Sequence, residues 1–179
     1  MAAAEDITLG KLLLAEYDRL KEEQKTRIGF RDNLLYVTMA AIVSVLIGAA
    51  NTRHPVLLVV LPAAVCALGW TYLVNDEKIS AIGRYIRTEL GPRLGTLVDA
   101  GHSPFGWEAA HRQDSRRTQR KRIQCAVDLA VFTATPATAL IVYWARGPLA
   151  SIPLAVSVLE AIAVLILAFQ IIAHADTRP

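Results

Sequence analysis

The chain has 179 residues, of which 54% are hydrophobic and only 7% aromatic, and its formal net charge is +3. The length suits one domain, and the richness in Ala, Leu, Val and Ile is typical of membrane proteins. So small a positive charge is weak evidence for nucleic-acid binding. Because no folded module with aromatic stacking platforms accompanies it, we expect no nucleic-acid partner.

The first 33 residues predict a cytoplasmic amphipathic helix. Between Thr8 and Arg31, apolar residues recur every three or four positions, as they do on one face of a helix. They are Leu9, Leu13, Tyr17, Leu20 and Ile28, with Gln24 in the same series. The segment has neither a basic start nor an apolar core ending in a small-residue cleavage site, so we expect no cleavable signal peptide.

Four long and nearly uncharged windows predict transmembrane helices. They lie at 34–50, 56–74, 123–145 and 153–173, and each approaches the roughly 20 residues that cross a bilayer. A soluble helical core is the alternative, but so short a chain has too little other sequence to cover four such helices. We therefore predict an all-α fold: a four-helix transmembrane bundle with amphipathic cytoplasmic helices before the first span and after the second.

The distribution of Lys and Arg predicts the orientation of the chain. Residues 1–33 carry six and residues 75–122 carry ten, whereas the loops at 51–55 and 146–152 carry one each. Positive segments stay on the cytoplasmic side, which places both termini inside. The predicted order is a cytoplasmic helix (1–33), a transmembrane hairpin (34–74), a cytoplasmic helix, loop and basic segment (75–122), a second hairpin (123–173) and a cytoplasmic tail (174–179).

The segment "NDEKISAIGRYIRTEL", which follows the second span, contains a second apolar stripe. Its members are Ile79, Ile82, Ile86 and Leu90, and we interpret them as a packing or partner-binding face. Both cytoplasmic helices belong to one hairpin, so we expect this stripe to pack on the first one, at Leu13, Tyr17, Leu20 and Ile28. Gly91 followed by Pro92 should end the helix.

Two acids, Asp128 and Glu160, lie inside the membrane windows. A charge at the bilayer centre costs at least about 2.5 to 3.5 kcal/mol, so each acid requires a partner, a proton or water. Helical rise puts them about 13 Å apart along the membrane normal, too far for a carboxylate pair. Residues level with Asp128 are Tyr36, Thr71, Tyr72 and Gln170, and those level with Glu160 are Ser44, Pro62, Thr135 and Thr138. The acids are either stations on an ion path or hydrogen-bonded packing elements.

A basic cluster directly precedes the third span. It consists of Arg116, Arg117, Arg120, Lys121 and Arg122. We interpret it as a topological anchor that also binds anionic lipid headgroups. Each cation contributes about 1 kcal/mol to such binding.

No constellation of residues indicates an enzyme. The four histidines lack metal-ligand spacing, and no serine lies in a nucleophile motif, so we expect no metal, no cofactor and no catalysis. Cys66 and Cys125 differ in predicted depth by about 12 Å, which is too far for a disulfide. Both are interpreted as buried free thiols.

The segments "EEQKTRIGFRDNLLYVTMAAI" and "LGWTYLVNDEKISAIGRYIRTELGPRL" resemble a group of uncharacterised integral membrane proteins of actinobacteria. The resemblance covers residues 16–94 and implies a location in the bacterial inner membrane. In outline, the order of cytoplasmic helix, two spans and cytoplasmic helix is also similar to the two-span and four-span membrane effectors of bacterial conflict systems. Those effectors are thought to oligomerise and breach the membrane.

The sequence therefore favours a non-enzymatic membrane component whose cytoplasmic helices mediate self-association or partner binding. Its expected partners are the lipid bilayer, a second copy, or another membrane or cytoplasmic protein. The alternative is a small proton- or ion-coupled transporter, or an ion-conducting oligomer, that uses Glu160 and Asp128.

Overall fold

The computed structural model of the chain describes residues 8–52, 55–97, 105, 116–146 and 151–175. Most of the predicted cytoplasmic loop before the basic cluster, most of the two outer loops and most of the tail lie outside these ranges. Every regular element within them is helical. The predicted all-α class is confirmed for this part of the chain.

The elements follow one another with few interruptions. They are α1 (Leu9–Thr52), a 3₁₀ turn (Pro55–Val59), α2 (Val60–Tyr85), a π-helical turn (Ile86–Leu90), α3 (Gly91–Leu97), α4 (Arg117–Leu129), a second π-helical turn (Ala130–Ala134), α5 (Thr135–Arg146) and α6 (Ser151–His174). Gly29 lies within α1 and Asn75 within α2. Both helices continue through these residues without interruption.

Four helical stretches are long and apolar enough to cross a membrane, as predicted: Leu9–Thr52, Val56–Leu97, Thr118–Arg146 and Ser151–His174. In the most apolar window of the first stretch only 11% of residues are buried, against 44% in the second. Soluble monomers rarely expose apolar surface on this scale. The fold is therefore that of a multi-pass membrane protein, and α2 contributes the most buried span.

The chain divides into two compact units. The extension unit contains the described residues of Met1–Phe30 and Asn75–Arg117, and the membrane unit contains those of Arg31–Val74 and Thr118–Pro179. Each has its own buried cluster of apolar side chains.

The core of the membrane unit forms where α2 meets the other apolar helices. Phe132 and Tyr143 are completely buried there. At Gly69 the helices approach closely: an added Cβ would lie 2.8 Å from Leu167 Cδ2 and 2.9 Å from Phe132 Cδ1. Small residues permit such close packing of membrane helices, so Gly69 is a contact point.

The core of the extension unit consists of Leu13 from α1 together with Ile86, Leu90 and Leu94 from the first π turn and α3. Ile86 and Leu90 are completely inaccessible to solvent. Apolar burial of this kind supplies the main driving force for a compact helical pair.

The predicted helix end at Gly91 and Pro92 is wrong, because the helix continues to Leu97. Proline lacks an N–H and its ring crowds the carbonyl four residues earlier. The π turn directly before it supplies a wider turn, in which the Gly91 N–H bonds to the carbonyl of Ile86, five residues back. Gly91 also has no Cβ to clash with the proline ring, so it keeps α geometry.

The second π turn occurs in the same context. It directly precedes Thr135 and Pro136, and the Thr135 N–H bonds to the carbonyl of Ala130. The Thr135 hydroxyl donates to that same carbonyl at 2.9 Å. In both places a π turn carries the helix through a proline.

Candidate functional site

The Asp128 carboxylate lies in a hydrogen-bonded cluster inside the membrane unit. Its side chain is 9% exposed, and the Tyr72 hydroxyl donates to Asp128 Oδ1 at 2.9 Å. Gln124, one helical turn before Asp128, donates from Nε2 to the same hydroxyl at 3.2 Å. The Tyr72 hydroxyl therefore bridges two side chains of α4 from α2.

Tyr72 is one of the four residues predicted to lie level with Asp128. Another of them, Tyr36, is 66% exposed, and the Thr71 hydroxyl donates to the carbonyl of Ala67 in its own helix. The Tyr72 ring also packs on Phe132, with centroids 4.9 Å apart. The apolar contact and the hydrogen bonds hold the phenol in one place.

Arg31 adds a positive charge to this part of the membrane unit. It interacts electrostatically with Tyr72, and its Nη2 forms an ion pair with Asp32 Oδ1 at 3.1 Å. Polar groups from α2 and α4 thus meet at the predicted inner end of the spans, within electrostatic range of Arg31 on α1. Such an arrangement satisfies a buried acid and can fix three helices in register.

Glu160 has a different environment. Its side chain, on α6, is 8% exposed, and the backbone amide of Ala63 at the start of α2 interacts with its carboxylate. Its Oε2 atom has no hydrogen-bond partner among the described residues. The Cys66 thiol, one turn further along α2, lies within electrostatic range.

The two acids bind to different parts of α2. Ala63 and Tyr72 are nine residues apart, or about 13 Å along the helix axis. Asp128 and Glu160 are therefore separate sites, in contact with opposite halves of one span.

The predicted packing face lies in the core of the extension unit. Ile86 and Leu90 are buried against Leu13, and Ile82, Tyr17 and Leu20 pack around them. The structure also places two predicted residues outside this cluster. Ile79 contributes its carbonyl, which accepts a hydrogen bond from Gln24 Nε2 at 3.2 Å, and Ile28 is 38% exposed.

The pattern of apolar residues could not reveal several polar and aromatic contacts. In the extension unit the Tyr85 hydroxyl donates to Glu16 Oε1 at 2.7 Å, and Phe105 stacks on Tyr17 with centroids 4.1 Å apart. In the membrane unit Trp144 Nε1 donates to Ser157 Oγ at 2.8 Å. The only feature of the sequence that could have indicated the Phe105 contact was the presence of an aromatic residue within a polar loop.

The basic cluster lies at the beginning of α4. Arg116, Arg120 and Arg122 are exposed and Lys121 is partly buried, while the side chain of Arg117 lies outside the described part of the chain. Cations at a helix N-terminus oppose the helix dipole. Their position therefore disfavours a role in stabilising α4.

No group of three or more potential metal ligands occurs in the described ranges. Cys66 and Cys125 are free thiols. Comparison of the chain with protein-family models, with curated proteins and with solved structures gives no match.

Proposed function

We propose that this chain is a non-enzymatic, multi-pass component of a bacterial inner membrane that functions by self-association through its extension unit. One observation restricts where this association can occur. The apolar stripe of the extension unit is already covered by its own core, around Ile86 and Leu90. Association therefore uses the outer surface of the unit, and the unit is folded in a single copy of the chain.

A groove on that surface provides the contact. Its volume is about 700 Å³, and it is lined by Arg19, Glu22, Glu23, Thr26, Arg27, Phe30 and Asn75. Its two cations and two anions form ion pairs within the chain, Arg19 with Glu22 and Arg27 with Glu23. A twofold contact sets the same patch against itself, so each charge can also meet its opposite in the partner copy. Phe30, 50% exposed, supplies the aromatic anchor that is common at such contacts.

The orientation belongs to the same proposal. The Lys and Arg counts favour a cytoplasmic extension unit and cytoplasmic termini. The basic cluster of α4 then faces the inner leaflet, where anionic headgroups bind it. Reporter fusions at the two termini should be active only as cytoplasmic reporters. Activity of a periplasmic reporter at either terminus would contradict this orientation.

Charge reversal tests the association. Arg19 and Glu22 are both largely exposed, so Arg19→Glu and Glu22→Arg should each leave the fold intact and weaken the homodimer by roughly tenfold. Mixing the two variants should restore the complex, since each reversed charge then meets its opposite. Native mass spectrometry in nanodiscs, with a different tag on each variant, measures the two homodimers and the mixed dimer. Lys25→Glu, on the same helix but not lining the groove, is the matched control.

Equal dimer populations in the wild type and both single variants would contradict the proposed groove. Flux assays in liposomes distinguish the competing function. We expect no flux above protein-free vesicles. A pH-dependent leak that Glu160→Gln abolishes would instead support an ion-conducting protein, which the unpartnered oxygen of Glu160 would then explain.

A further inference from the structure

Glu160 combines burial with incomplete hydrogen bonding in the membrane unit. More than nine-tenths of the side chain is buried, and Oε2 has no partner among the residues that the structure describes. An ionised carboxylate in apolar surroundings is strongly unfavourable unless it is paired or neutralised. The arrangement therefore points to a positively charged ligand at this oxygen.

The start of α2 supplies polar backbone groups to Glu160. Ala63 is in the first turn of α2, and its backbone amide interacts with the carboxylate. One residue earlier, Pro62 has no N–H, so the carbonyl of Leu58 lacks its α-helical donor. Helix α6 packs against the 3₁₀ turn that contains Leu58. A hydrogen-bond donor and an acceptor thus lie in the segment that Glu160 faces.

We propose that Glu160 is a proton-binding site of the membrane unit, where the carboxyl group is held protonated between α6 and the start of α2. A proton taken from water forms an O–H bond at Oε2 and neutralises the carboxylate, with no other bond made or broken. The protonated group is stable in apolar surroundings and can donate to the 3₁₀ turn. Loss of the proton leaves an anion at the positive end of α2, where the Ala63 amide binds it more strongly.

A single proton is the ligand that best fits the described surroundings. The titratable group that interacts with Glu160 from α2 is the Cys66 thiol, which brings no positive charge. The nearest other buried acid, Asp128, is bound by Tyr72 about 13 Å further along α2. No described side chain is thus assigned to neutralise Glu160. This inference is independent of the association proposed above, because it concerns residues of the membrane unit alone.

Infrared titration of the full chain in nanodiscs tests the proposal. A protonated carboxyl group has a carbonyl band that the ionised group lacks. Above about pH 6 the exposed carboxylates are ionised and lack this band. In that range we expect the wild type to show such a band, with the area of one carboxyl group, that disappears as the pH rises further. Glu160→Gln, which keeps the size of the side chain, should remove the band entirely. Asp128→Asn, a matched change at the other buried acid, should leave it in place.

Thermal unfolding gives an independent measurement. If the folded chain holds the proton more tightly than the unfolded chain, stability must fall as rising pH removes it. Glu160→Gln should lose that dependence while remaining folded.

A wild type without the band above about pH 6, or a band that persists above that pH in Glu160→Gln, would overturn the proposal. A third result would also contradict it: no band, together with stabilisation by added sodium ions that Glu160→Gln abolishes. That combination would identify a bound metal cation instead of a proton.

Discussion

The two cores of this chain are equally well buried but have different surroundings. Ile86 and Leu90 in the extension unit, and Leu61 and Val65 in the membrane unit, are all completely inaccessible. The extension unit has a charged surface, whereas the membrane unit is covered by exposed aliphatic side chains. An apolar side chain that is buried away from water is stabilised by the hydrophobic effect. One that is buried away from lipid tails is stabilised only by packing contacts. Equal burial therefore does not imply equal stabilisation.

The largest expected effect tests this difference directly. Ile86→Ala should destabilise the extension unit by about 2 to 5 kcal/mol, the usual cost of a large-to-small change in a core. Leu61→Ala in the membrane unit should cost less, since lipid replaces water as the solvent of the unfolded helices. Denaturant titration in nanodiscs, with hydrogen exchange to locate the loss, measures both. Equal losses would remove the distinction between the two cores.

Close packing, by contrast, should dominate inside the membrane unit. Gly69→Ala forces a methyl group against Leu167 and the Phe132 ring and should cost about 1 to 3 kcal/mol. Gly29→Ala is the control, because its Cβ would meet nothing within 4 Å. The control should stabilise α1 by about 0.5 to 1 kcal/mol. Thermal unfolding compares the two, and a neutral Gly69→Ala would contradict the close approach.

Hydrogen bonding in the membrane unit should contribute less. Tyr72→Phe removes the donor to Asp128 and should cost about 0.6 kcal/mol, the average for hydrogen bonds between membrane helices. Tyr36→Phe, at an exposed position, should have no measurable effect on unfolding. A loss above about 2 kcal/mol would show that the Asp128 cluster is the main link between its helices.

The smallest effect concerns the extension unit at alkaline pH. The hydrogen bond to Glu16, with a smaller effect of partial burial, raises the pKa of Tyr85 above its usual value. A raised pKa means that this contribution to stability is complete below the ordinary tyrosine range and is lost as the pH rises through the higher value. Tyr85→Phe should remove this alkaline dependence. Absorbance of the phenolate in a pH titration, compared with that of the variant, measures the shift.

Helical periodicity was sufficient to predict the elements and much of the extension-unit core. Spacing placed Ile82, Ile86 and Leu90 on one face, and the structure packs that face around Leu13. Ile28 has the same spacing, but it lies too far along α1 to reach the cluster. Periodicity gives the direction of a side chain and cannot tell where the facing helix ends.

The predicted depth of residues in the membrane identified the partners of the two buried acids less completely. It reduced the partners of Asp128 to four residues, among them Tyr72, but depth does not specify rotation about the helix axis. It could not find Ala63 as a partner of Glu160, because the interacting group is a backbone amide. The stacking of Phe105 on Tyr17 joins residues far apart in the chain, and no local pattern encodes it.

The first π turn also determines the rotational phase of the helix that follows it. Residues spaced by four overshoot an α-helical turn of about 3.6 residues, so a stripe at 82, 86, 90 and 94 would drift around the helix by about 40° at each step. The wider π turn between Ile86 and Leu90 compensates for part of that drift, and Leu94 remains in the core. Deleting one residue there should restore a regular α-helix in which the stripe is spaced by four, three and four, so Leu94 should still face α1. The π turn thus accommodates one extra residue before Pro92 without rotating the helix that follows.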